Sequence, residues 1–116
     1  MDGAGNVLHA FIAAVFAGSR HPETAPVLLA LVREAGTDPE LAQLVKTFTE
    51  ERRVLLRKVL TRGLERGELR ADPDLDLMVD QVYGVFWYRF LLGHAPLNDE
   101  AADRLADSLV GSTRRP

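Results

Sequence analysis

The stretch DPDLDLMVDQVYGVFWYRFLLGHAP, residues 72–96, decides the fold class of this 116-residue chain. It opens with a proline between two aspartates and closes with a glycine and a proline, residues that start and stop α-helices. Between these ends apolar side chains recur at helical spacing, at Leu75, Met78, Val79, Val82, Phe86 and Phe90. This spacing predicts that the stretch forms the fourth helix of the chain, and that the side carrying these residues faces a core.

The opposite side of this helix is also apolar. Over the second half of the helix it carries Gly84, Trp87, Tyr88 and Leu91. One small core covers a single face of such a helix, so the second face predicts another partner, most simply a second copy of the chain. A glycine in mid-helix costs ~1 kcal/mol relative to alanine, so Gly84 indicates a close backbone crossing. The alternative is that the third helix and the loops wrap the fourth within one subunit.

Other segments also combine apolar side chains at helical spacing with residues that start or stop helices. The first helix covers about residues 7–18. The second opens with Thr24 as a hydroxyl cap and stops at Gly36. The fifth opens at residues 98–100 and fades at Gly111. These segments predict helices before and after the deciding stretch.

The third helix is the longest, and its start can be read in two ways. Either Thr37 and Glu40 form a capping box, or Asp38 caps the helix with a proline at its first position. The helix runs to about Arg66, and Gly67 is its left-handed stop. Because no segment alternates as a strand would, the sequence predicts one all-α domain of five helices over residues 1–116.

The composition argues against catalysis and against a nucleic-acid-binding surface. The chain has no cysteine, 14 basic and 17 acidic side chains, and a net charge of −3, the wrong sign for binding phosphate backbones. His9, His21 and His94 lack the spacing of a helical metal site, and no serine lies in a Gly-x-Ser-x-Gly turn. We therefore expect no enzyme activity, no catalytic residue, no metal and no cofactor.

The apolar stretches are too short for a membrane. The most apolar one, residues 7–18, contains His9 and falls short of the ~18 residues of a membrane span. The first residues lack the basic region of a signal peptide. The sequence thus predicts a soluble, cytoplasmic protein without membrane contact.

Four stretches of this sequence carry a family resemblance. They are DPELA at 38–42, RGELR at 66–70, DPDL at 72–75 and, most specifically, YGVFWYRFLLGHAPL at 83–97. Together they resemble the carboxy-terminal domain of tetracycline-repressor (TetR) family transcriptional regulators. The resemblance implies an effector-binding domain of a ligand-responsive repressor that dimerises as a four-helix bundle made by the last two helices of each subunit.

The resemblance also implies what the chain does and does not bind. Members of this family hold a small, often hydrophobic ligand among the other helices, and the ligand shifts two helix-turn-helix heads on DNA. Here residues 7–18 already form the first helix, so we expect this chain to lack that head. It would then contact DNA only through a helix-turn-helix domain that is absent from it.

Eight residues are candidates for ligand contact. They are His9, Phe11, Val15, Phe48, Arg52, Tyr83, Phe86 and Phe90. Arg52 interrupts the apolar stripe of the third helix and could hold an anionic group, although most basic residues of this helix form a solvated face. The aromatic residues could equally form an ordinary core, and His9 could be a core histidine bonded to a carbonyl.

The candidate contacts between subunits lie on the last two helices. They are Gly84, Trp87, Tyr88, Leu91, Ala102, Leu105 and Leu109. A rival hypothesis uses the same surfaces without any ligand: the chain would be a dimeric helical module for protein–protein interaction.

Overall fold

The computed structural model describes residues 4–67, 69 and 73–113. Its helices in chain order are α1 (Ala4–Gly18), α2 (Ala25–Ala35), α3 (Pro39–Glu65), α4 (Leu75–Leu92) and α5 (Asp99–Thr113). No strand occurs within the described residues, so the predicted all-α fold of five helices is confirmed. Asp72, at the predicted opening of α4, lies outside them. None of these helices is long and apolar enough to cross a membrane.

Asp38 caps the amino terminus of α3. Its Oδ1 accepts hydrogen bonds from the backbone N–H groups of Glu40, at 3.0 Å, and of Leu41, at 3.3 Å. The Thr37 hydroxyl instead donates to the carbonyl oxygen of Glu34 at 3.4 Å. Of the two starts that the sequence allows, the structure therefore has the aspartate cap followed by proline.

Asp74 and Gly93 mark the two ends of α4. The Asp74 carboxylate accepts a hydrogen bond from the backbone N–H of Leu77 at 3.0 Å. Gly93 has a φ of 66°, in the left-handed region, and its N–H donates to the carbonyl oxygen of Arg89. Only glycine adopts this conformation without strain, so the predicted stop is confirmed. Gly67 ends α3 in the same way, with a φ of 76°.

The predicted hydroxyl cap of α2 does not form. Thr24 has helical backbone angles, φ −88° and ψ −43°, and its side chain caps no backbone N–H. A capping residue needs extended backbone angles, so this part of the prediction is wrong. The Thr24 hydroxyl lies 3.4 Å from Nδ1 of His21 instead.

The core lies where α1, α3, α4 and α5 meet. α1 packs mainly on α5 and α3, and α2 packs on α3 at the edge of the bundle. The predicted apolar stripe of α4 faces this core, where Met78, Val79, Val82 and Phe86 are buried. Other large side chains that are fully buried are Leu8, Ile12 and Phe16 of α1 and Leu56 and Leu60 of α3.

The apolar side of α5 faces its own subunit. Ala102 is fully buried and Leu109 is 3% exposed, because α5 packs chiefly against α1. Ala102 therefore has no surface left for a second subunit, whereas Leu109 lines a groove with Tyr88 and Leu105, so its contact with a second subunit stays a prediction. Leu105 is only partly buried and remains at the edge of the exposed surface.

Candidate ligand-binding site

A cavity lies among α1, α2, α3 and α4. Its volume is about 560 Å³, which is within the range of pockets that take drug-sized molecules. Its lining consists of Val15, Gly18, Thr24, Leu28, Phe48, Thr49, Arg52, Arg53, Asp80, Tyr83, Gly84, Phe86 and Trp87. Thr24, Phe48 and Thr49 are exposed, so the cavity is open to solvent.

Aromatic side chains of α4 form one wall of this cavity. The Phe86 ring lies 6.4 Å from the Phe16 ring in the core. Trp87 packs edge-on against Phe86, with ring centroids 5.1 Å apart. Phe90, which is outside the lining, stacks on Phe86 at 5.5 Å. Each ring is thus held by another ring, so the wall is formed before any ligand arrives.

Arg52 of α3 brings a permanent positive charge to the cavity. Its Cζ lies 5.0 Å from the centroid of the Phe48 ring, a cation–π contact. Among the residues that the structure describes, Arg52 makes no salt bridge, and its Nε is buried without a hydrogen-bond partner. A buried donor without a partner is costly, so the guanidinium has hydrogen-bonding capacity that its own subunit does not satisfy.

The neighbouring Arg53 is neutralised by carboxylates. Its Nη1 donates a hydrogen bond to Asp80 of α4, and its Nη2 and Nε lie 3.7 Å from Asp76 and 3.8 Å from Glu50. The hydrogen bond to Asp80 raises the pKa of Arg53 above its usual value. Arg53 and Asp80 thus form an ion pair that joins α3 to α4 beside the cavity.

Tyr83 of α4 holds the backbone of α3 next to Arg52. Its hydroxyl donates a hydrogen bond to the carbonyl oxygen of Arg52 at 3.2 Å. Burial raises the pKa of the Tyr83 phenol, and the nearby charge of Arg52 offsets part of this rise. The phenol therefore keeps its proton, and its role as a donor, at neutral pH.

Comparison with known proteins identifies the family. Residues 6–109 match the family described as "Tetracyclin repressor-like, C-terminal domain". The chain belongs to this family. The Bacillus subtilis (strain 168) protein described as "Uncharacterized HTH-type transcriptional regulator YdeS" is 33% identical over 94 residues. The match covers 80% of this chain and 46% of that protein, so the chain spans about half the length of this curated relative. No solved structure matches the chain.

The tetracycline-repressor-like domain gathers part of the predicted ligand set at its cavity. Five of the eight candidates line it: Val15, Phe48, Arg52, Tyr83 and Phe86. His9 lies elsewhere, with its Nε2 2.8 Å from Oδ1 of Asp107 on α5. It precedes Val15 by about 9 Å along the axis of α1, at a rise of ~1.5 Å per residue. Phe11 packs against the core, and Phe90 lies behind Phe86.

The predicted subunit contacts of α4 divide between two surfaces of the domain. Trp87 lines the cavity, whereas Tyr88 is 60% and Leu91 48% exposed. A Cβ atom at Gly84 would meet nothing within 4 Å, so the close backbone crossing predicted there does not occur inside the subunit. Gly84 also lines a groove with Tyr88 and with Leu105 of α5.

Some residues of the cavity were not found from the sequence. Leu28 brings α2 into the lining, and Thr24 and Thr49 add hydroxyl groups. Nothing local distinguishes Leu28 from the other aliphatic residues of α2. Asp80 is a charged residue inside the strongly apolar α4. This contrast is a weak sequence indication that Asp80 pairs with a basic residue of a neighbouring helix.

Proposed function

We propose that this chain is the effector-binding and dimerisation domain of a ligand-responsive transcriptional repressor. The effector is a small hydrophobic or amphipathic molecule that occupies the cavity among α1, α2, α3 and α4. The observation that carries the proposal is the cavity itself, about 560 Å³ in a domain of this family. The Bacillus subtilis relative is described as an HTH-type regulator. This supports the proposal that the protein to which this domain belongs contacts DNA through a helix-turn-helix domain.

The lining of the cavity supports ligand binding. Aromatic and aliphatic side chains provide most of the wall, with a few polar groups among them, which is the usual composition of small-molecule sites. This composition supports an occupant for the cavity.

The outer side of α4 supports dimerisation. Leu77, Tyr88, Leu91 and Leu92 are all exposed there, and exposed apolar patches of this kind mark interaction surfaces. The groove with Gly84, Val85 and Leu105 continues this surface toward α5. In the proposed dimer a second copy covers this side across a two-fold axis.

Native mass spectrometry tests both parts together. We expect a particle of twice the 12.8 kDa chain mass, and a small molecule retained from the cells that produced the protein. Replacing Leu91 with glutamate should yield single chains, because the charge would be buried in the proposed interface. The matched control is Val27→Glu on α2, which is also exposed but lies away from α4.

Two results would contradict the proposal. A wild-type particle of one chain mass at every concentration would remove the dimer. A dimer that binds no molecule from a panel of hydrophobic and amphipathic compounds would favour the rival, a helical interaction module without a ligand.

A further inference from the structure

The cavity contains two adjacent arginines in different electrostatic states. Arg53 lies within salt-bridge distance of Asp80, Asp76 and Glu50. Arg52 forms no salt bridge within the described part of the chain, and its neighbours in the cavity are largely apolar. The cavity therefore presents one uncompensated positive charge to whatever occupies it.

We propose that the cavity selects amphipathic carboxylates, with the carboxylate on Arg52 and the apolar part against Val15, Leu28 and Phe86. This inference rests on the proposed function, since it names the class of effector that the same cavity binds. The established family and the cavity volume do not by themselves distinguish an acid from an alcohol or an amine.

The hydrogen-bonding capacity of Arg52 fits a carboxylate. Arg52 lines the cavity, and a guanidinium presents a parallel pair of N–H donors that a carboxylate accepts; its Nε has no hydrogen-bond partner within the described residues. The Phe48 ring packs against the guanidinium, with its centroid 5.0 Å from Cζ, and the Tyr83 bond to the Arg52 carbonyl fixes the backbone that carries this side chain. Such pre-organisation reduces the entropy that binding would otherwise cost.

The charge of the site favours a monoanion over a phosphate ester. A phosphate monoester carries about −1.5 to −2 charges at neutral pH, and the single uncompensated guanidinium of Arg52 balances one. A more negative head group would also approach the Asp80 carboxylate, which lines the same cavity. An amine finds no equivalent partner, because Asp80 is already bound by Arg53.

Trp87 gives a direct readout for the test. It is the only tryptophan of the chain and lines the cavity, so its fluorescence reports occupancy. The wild-type chain is titrated with decanoate, decanol and decylamine, which share one alkyl chain and differ in the charge of the head group. We expect decanoate to bind about 10- to 100-fold more tightly than decanol, as a charged hydrogen bond provides. Decylamine should bind most weakly.

Two variants assign this preference to Arg52. In Arg52→Gln the advantage of decanoate over decanol should disappear, while the affinity for decanol stays within about twofold, since no charged hydrogen bond is lost there. Lys46→Gln removes the same charge from an exposed position of α3 outside the cavity lining. It should keep the full preference. Thermal melts of both variants establish that they are folded.

The outcomes separate this inference from the proposed function. Equal affinity of the wild-type chain for decanoate and decanol, or a preference that survives in Arg52→Gln, would overturn the carboxylate proposal and leave the cavity a ligand site. No response of Trp87 to any of the three compounds would overturn the carboxylate proposal and count against the ligand-binding part of the proposed function, while the dimer is tested separately by its mass. If Arg52→Gln fails to fold, the wild-type comparison still decides whether the cavity prefers a carboxylate to an alcohol.

Discussion

Replacing Gly84 with alanine should affect the separate chain and the proposed dimer in opposite directions. Gly84 lies in the middle of α4, where alanine is favoured over glycine by ~1 kcal/mol. A Cβ atom there meets nothing within 4 Å, so no clash inside the subunit reduces this gain. Unfolding a domain of this length changes the entropy by ~2.1 cal/mol/K per residue, so the separate chain should melt about 4 °C higher.

In the proposed dimer the same methyl group meets the second copy. If two α4 helices cross closely at Gly84, the added atoms push them apart, and overpacking of this kind costs ~1–3 kcal/mol. The dissociation constant should therefore rise by about tenfold or more, since tenfold corresponds to ~1.4 kcal/mol. The apparent melting temperature of a dimer depends on concentration, so the gain in stability should shrink or reverse as the protein is concentrated.

The assay combines thermal melts over a wide range of protein concentrations with sedimentation equilibrium. Thr47→Ala is the matched control, because it raises helix propensity at an exposed position of α3 away from α4. It should stabilise the protein equally at all concentrations. If Gly84→Ala behaves like this control and leaves the dimer fraction unchanged, the backbone does not cross a partner at Gly84 and the reasoning from this glycine fails.

Three further substitutions test the core, a cap and a titrating group. Ile12→Ala should lower the free energy of unfolding by ~2–5 kcal/mol in urea melts, because Ile12 is fully buried, whereas the exposed Val7→Ala should change it by less than ~0.5 kcal/mol. Asp38→Ala should cost ~1 kcal/mol in the same measurement through loss of the α3 cap; Thr37→Ala, whose hydroxyl caps nothing there, should cost a few tenths at most. The raised pKa of Tyr83 means that the folded state keeps this proton longer than the unfolded state, so stability should fall as the pH rises above about 10. Tyr83→Phe should remove this slope in alkaline melts, and an unchanged slope would assign it to other groups.

Helix positions and ends could be predicted from the sequence because their causes are local. Asp38 and Gly93 act through bonds to residues a few positions away, and the stripe of α4 follows from spacing alone. The predicted hydroxyl cap at Thr24 does not form, and the cause is the local backbone conformation. The turn before α2 continues with helical angles, and the residue type does not report this.

The assignment of faces to partners could not be predicted in the same way. Periodicity indicates that one side of α5 is buried, but it does not say which helix packs on it, and in the structure it is chiefly α1. The cavity is less local still, because it forms where side chains of four helices fail to meet. Leu28 belongs to it through the position of α2 on α3, which depends on packing along the whole length of these helices.

α4 separates the two surfaces on which the proposed function depends. Asp80 and Gly84 line both the cavity and the outer groove. At these residues only the width of α4 separates the two sites. A helix moves as a rigid unit, and a ligand that binds one position of α4 more tightly must favour that position on both of its sides. In the proposed function such coupling would be reciprocal: if the effector changed the affinity between subunits by some factor, dimerisation would change the affinity for the effector by the same factor. The ion pair between Arg53 and Asp80 joins α4 to α3 at the point where the two surfaces meet, so a shift of α4 against α3 would change this contact.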